Sequence, residues 1–76
     1  MELITMANEM LTKAKEAMTD MTISGIRRFI NSTDYMLKYH VFMRTLELRD
    51  PDTFIKVSED HRTTIDDIST MWEATS

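Results

Sequence analysis

The sequence predicts an all-α protein: a small antiparallel bundle of four helices, or three if one internal break is only a kink. Three observations lead there. The chain holds one glycine and one proline in 76 residues, too few for the turns that sheets and long loops require. Eight methionines, many leucines and isoleucines, and a charged fraction of 29% suit helices. Apolar residues recur at steps of three and four along most of the chain, the period of one helix face. Residues 1–76 are expected to form a single helical bundle domain, without linker, repeat or low-complexity tract.

Leu3, Met6, Ala7, Met10, Ala14, Ala17, Met18 and Met21 lie on one stripe and predict a first helix over residues 2–19. Glu9 and Lys13 form an i,i+4 pair in the favourable order. Asp20 to Gly25, DMTISG, is the first break, with Thr22 or Ser24 able to cap the next helix and Ile23 placed as a hydrophobic staple. A short second helix follows, with Ile26, Phe29 and Ile30 expected inward and Arg27 and Arg28 outward. Asn31-Ser32-Thr33-Asp34 is the second break, because each side chain can bond nearby backbone in competition with the helix. A turn is favoured there over a kink.

The stretch DYMLKYHVFMRTLELR, residues 34–49, is apolar on most of its circumference and predicts a central helix with neighbours on several sides. Arg49-Asp50-Pro51-Asp52 then ends one helix and starts another, with Asp50 as N-cap and Pro51 in the first turn. Phe54, Val57, His61, Ile65, Ile68 and Trp72 form the seam of one last helix, from about Pro51 to Ala74. The expected core is Met6, Met10, Met18, Phe29, Leu37, Phe42, Leu46, Phe54, Ile65, Ile68 and Trp72.

Without cysteine the chain has no disulfide, thiolate metal site or cysteine nucleophile, which fits a reducing compartment. No apolar run approaches the ~20 residues that cross a bilayer. MELITMANEM carries an acid where a secretory leader has a positive region, so no membrane partner and a cytoplasmic location are expected. The two histidines, His40 and His61, have no carboxylate at metal-site spacing on a clean helix face, and each is expected to be a partly buried structural residue. Neighbouring acids such as Glu59-Asp60 and Asp66-Asp67 show no cleft that would set their environments apart. The expectation is a protein with no catalytic residue, no metal and no cofactor.

Charge is the more informative signal. The net charge of −4 divides into an acidic start, a basic middle over residues 27–49 and a strongly acidic last third. In the middle, Arg27, Arg28, Lys38 and Arg44 interleave with Tyr35 and Tyr39. Cations neutralise phosphates and aromatic faces stack on unpaired bases, so these six are the candidate nucleic-acid-binding residues, for single-stranded or branched DNA. The bland alternative is that the tyrosines are core and the cations pair with the acidic last helix. A different class of function is also open: a protein-binding adaptor or inhibitor, acting through the acids of the last helix or a Met-rich face.

In overall length, and in the helical reading of the whole chain from MELITMANEM to STMWEATS, the sequence resembles the small companion protein encoded beside the branched-DNA recombination helicase of T4-like phages. The resemblance implies a dynamic four-helix bundle, similar to the helical nucleic-acid-binding domain of RecQ-family helicases. It implies an accessory part in phage recombination and repair, a helicase or other recombination protein as partner, and the host cytoplasm as location. It transfers no site residue, because no motif is shared.

Overall fold

A computed structural model describes residues 2–75. Three helices account for nearly all of them: α1 (Glu2–Thr19), α2 (Gly25–Arg49) and α3 (Pro51–Thr75). The architecture is all-helical as expected, with three helices rather than four. The bundle measures 38 × 18 × 14 Å, and its long dimension is that of a 25-residue helix. α2 runs antiparallel to both neighbours, and α1 and α3 run parallel to each other. Cross-links show this order: Ser32 meets Ala14 and Trp72, Tyr39 meets His61, and His61 meets Asn8.

The first junction forms where it was expected. Asp20 Oδ1 accepts from the Thr22 backbone N–H at 3.1 Å, an Asx turn that stops α1. Ser24 caps α2, its Oγ accepting from the Arg27 backbone N–H at 3.2 Å. Two arginines in the first turns of a helix oppose its dipole. Arg28 resolves this by turning back, its Nη1 donating to the Ile23 carbonyl at 2.7 Å and to the Asp20 carbonyl at 3.4 Å. Replacing Ser24 with alanine is expected to cost ~0.5–2 kcal/mol, read as a lowered midpoint in a thermal melt.

The second break does not form. α2 continues through Asn31–Asp34 because these side chains find partners that leave the backbone ladder intact. Thr33 Oγ1 donates to the Phe29 carbonyl one turn back at 2.8 Å. Ser32, fully buried, donates its hydroxyl to the Ala14 carbonyl at 2.7 Å and accepts from Trp72 Nε1 at 2.8 Å. One serine hydroxyl thus joins all three helices. Without a turn, the phase of the whole helix is set by its buried residues Ser32, Met36, Tyr39, Met43 and Leu46. Ile26, Phe29 and Ile30, expected inward, are therefore 74%, 41% and 42% exposed.

The last junction matches the expectation closely. Asp50 closes α2 by donating its backbone N–H to the Leu46 carbonyl at 2.7 Å, and opens α3 by accepting from Thr53 N–H and Oγ1. Pro51 takes the first helical position. α3 is unbroken at Thr63-Thr64; Val57, His61 and Ile68 are buried, and Phe54, Ile65 and Trp72 pack against the core.

The core is Ala7, Leu11, Ala14, Met36, Tyr39, Met43, Leu46, Val57 and Ile68. Met18, Leu46 and Ile68 are buried as expected, and Met10, Phe42, Phe54, Ile65 and Trp72 flank the core. Met6 is half-buried, and Leu37 lies outside at 60% exposure. No helix is long and apolar enough to cross a membrane among the described residues.

Candidate functional site

Three surfaces compete for a functional role: the basic middle, the acidic face of α3, and the side of α2 turned away from the core.

The six candidate nucleic-acid-binding residues do not make one face. At 3.6 residues per turn they spread over about 220° of α2. Tyr39 is 2% exposed and part of the core, which corrects its assignment as a stacking residue: a base cannot reach a ring packed among three helices. Arg28 is half-buried and bound to loop carbonyls, so its guanidinium holds the α1–α2 junction. Arg44 is exposed and paired with Glu47 at 2.6 Å. Arg27 is exposed at the start of α2.

Tyr35 and Lys38 keep a common surroundings. Lys13 of α1 and Lys38 of α2 set their ammonium groups 5.9 and 5.6 Å from the Tyr35 ring centroid. An open groove of about 550 Å³ lies beside them, between α1 and α2. Glu16, Asp20 and Asp34 line the same groove, so its carboxylates outnumber its two lysines. A phosphate would meet a mixed field there.

The acids Asp52, Glu59, Asp60, Asp66, Asp67 and Glu73 are all exposed on α3, and Asp67 reaches Lys15 of α1 at 3.4 Å. Lys56 and Arg62 lie exposed among them, and Ile55, 56% exposed, is a single large apolar side chain on this face, short of the apolar centre that protein interfaces need. The expected Met-rich face is largely interior: Met18, Met36 and Met43 are buried and Met6, Met10 and Met71 half-buried, while Met21 stands alone in the first junction at 79% exposure.

The outer side of α2 is different. Ile26, Ile30, Leu37, Val41 and Leu48 are exposed at 74%, 42%, 60%, 63% and 70%. With Asp34 and Arg44 they occupy an arc of about 80°, centred opposite the buried face. α2 therefore has two apolar stripes, one in the core and one that stays largely exposed among the described residues. The periodicity of residues 34–49 announced this helix as apolar nearly all round; which stripe lay inside was not readable from it.

Polar chemistry in the interior is structural. Tyr39 O–H donates to His61 Nδ1 at 2.9 Å, and His61 Nε2–H donates to Asn8 Oδ1 at 2.8 Å. The tautomer follows from the partners, since the amide oxygen can only accept. Burial pushes the His61 pKa down, against a smaller upward pull from Asp60, and burial pushes the Tyr39 phenol up. Every polar atom of this imidazole is occupied, so it has no free nitrogen to act as a base on a substrate. His61 is the structural histidine expected; His40 instead lies exposed, its ring 5.4 Å from that of Tyr39. No group of three or more His, Cys, Asp or Glu is placed to hold a metal ion among the described residues.

No protein-family model matches the chain, and neither does any curated protein or solved structure.

Proposed function

We propose that the chain is a non-catalytic accessory module that works by protein contact, through the outer face of α2. One observation carries this: five large aliphatic side chains, each at least two-fifths exposed, aligned on one side of a helix that already has a core on its other side. Isolated exposed aliphatics are ordinary, but an aligned row of five on one helix face supports an interaction site. Asp34 and Arg44, the two charges within the stripe, fix register and orientation for whatever binds. This replaces the acidic helix and the Met-rich face as the surface of the adaptor reading.

A second reading keeps weak binding of single-stranded or branched DNA, in support of a recombination helicase. It is favoured by the two lysines bracketing Tyr35, where cation and aromatic face occur together among the described residues. Fluorescence anisotropy with single-stranded, duplex and forked DNA, at ~50 and ~200 mM salt, tests it directly. The expected result is no binding at tens of micromolar protein. Binding that favours single strands, weakens steeply with salt and disappears in a Tyr35→Ala, Lys38→Glu variant would overturn the first reading in favour of the second. A photo-crosslinking residue at position 37, with position 59 on α3 as control, tests the first: crosslinks to protein are expected from position 37 alone.

A further inference from the structure

We propose that the outer face of α2 binds a second copy of the same chain, the two α2 helices lying antiparallel across a two-fold axis level with Tyr39. The inference rests on the protein-contact reading above and names its partner. Ile30, Asp34, Leu37, Val41, Arg44 and Leu48 follow steps of four, three, four, three and four, the seam of a coiled coil. In a two-fold antiparallel pair, residues whose numbers add to a constant face each other, and every contact occurs twice. With that constant at about 78, Ile30 meets Leu48 of the second copy, Leu37 meets Val41, and Asp34 meets Arg44. Every aliphatic residue of the seam then finds an aliphatic partner, and each charge finds its opposite.

Other arrangements fail on the same residues. Parallel helices in register set Asp34 against Asp34 and Arg44 against Arg44, which like-charge repulsion disfavours. Sliding the antiparallel pair by about one turn, roughly four residues, puts Asp34 against Leu48 in one direction and Arg44 against Ile30 in the other, so in each case a charge is covered by an aliphatic side chain with no partner. Charge spacing therefore selects both orientation and register.

The monomer leaves the necessary groups ready. Asp34 makes no ion pair or side-chain hydrogen bond among the described residues. Arg44 holds only Glu47, which sits at the edge of the stripe and can share the guanidinium with a second carboxylate. At the flanks, Lys38 lies near Lys38 of the second copy, and both side chains are exposed and long enough to turn their ammonium groups into water. Six seam residues on one helix make an interface near the low end of the size range for specific association, so the dimer is expected in the micromolar range. A chain of 76 residues, which leaves much of its surface in water when folded alone, gains from covering this stripe.

Sedimentation equilibrium over ~5–500 µM, at low salt, is the test. A monomer–dimer equilibrium is expected, with Leu37→Glu monomeric throughout. Asp34→Arg and Arg44→Asp, each alone, should weaken association at least ~10-fold, and the double exchange in one chain should restore it. All these positions are exposed, so far-ultraviolet circular dichroism should report an unchanged fold. A wild-type chain that stays monomeric across the range overturns the proposal, as does a charge exchange that fails to restore what the single reversals removed. A monomeric chain that still crosslinks to protein from position 37 leaves the contact surface standing with a different occupant; a monomeric chain with no such crosslinks removes both.

Discussion

Leu46→Ala is expected to remove a third to a half of the stability of this fold. Leu46 is fully buried, one of the largest side chains at zero exposure, and sits where α2 meets α1 and α3 in the common core. Truncating such a leucine costs ~2–5 kcal/mol, from lost transfer energy plus the cavity left behind. A domain of this length has a total of about 4–11 kcal/mol to lose. Urea denaturation followed by circular dichroism should therefore show a midpoint lowered by ~2 M or more, given a slope near 1 kcal/mol/M. Two comparisons make the result specific. Phe42→Ala, at a half-buried position flanking the core, should cost less than Leu46→Ala. Leu37→Ala, on the outer stripe, should stay within about 0.5 kcal/mol of wild type in dilute solution. If Leu37→Ala were as damaging as Leu46→Ala, the phase of α2 would be wrong.

That comparison also marks where the sequence stopped being informative. The capped junctions were legible because proline, serine and aspartate act on their immediate backbone: Ser24 and Asp50 cap helices from within their own turn. The seam of α3 was legible because most of its other positions are charged or polar, with Ile55 and Met71 beside the seam as exceptions, so one apolar stripe stood out as the inside. α2 has two stripes on opposite sides, and periodicity cannot rank them. Leu37 of the outer stripe therefore stands in the expected core beside Leu46. The inner one was obscured by its polarity, since it is built on Ser32 and Tyr39 as much as on Met36 and Met43. These two polar residues look like a helix breaker and a nucleic-acid contact until their distant partners are known. Ser32 is satisfied by α1 and α3, Tyr39 by α3, and pairings across 18 to 40 residues leave no local trace.

The two polar links have a common form. Each takes one residue from α2 and joins it to both neighbours: Ser32 to Ala14 and Trp72, and Tyr39 through His61 to Asn8. They are two turns apart on α2 and fix the rotation of α1 and α3 about it. Aliphatic and methionine packing alone specifies such rotation loosely. Directional bonds at two levels select one arrangement, because any other buries an unpaired hydroxyl, indole or imidazole. Fixing the inner stripe in this way fixes the outer one as well, so the exposed face of α2 is presented in one geometry.

The His61 link should make stability depend on pH in a window set by one residue. His61 is buried with its pKa lowered from 6.5 by desolvation. Below pH 6.5 the unfolded chain takes up a proton at His61 before the native state does. Native stability therefore rises with pH through this window, is fully present above 6.5, and is lost as pH falls toward the lowered native value. The slope from this group is at most ~1.4 kcal/mol per pH unit. Asp20 and Asp50, whose pKa values are also lowered by hydrogen bonds from Thr22 and Thr53, act only around and below 3.8, so the windows separate. Thermal melts should give a flat midpoint from pH 7 to 8 and a decline between 6.5 and 5. His61→Leu should flatten that decline while lowering stability at pH 7 by ~1–3 kcal/mol, because the Tyr39 hydroxyl is left without its acceptor. A decline that survives in His61→Leu would show that the imidazole is not the group being protonated, and that the Asn8–His61–Tyr39 link does not govern the acid side of the stability curve.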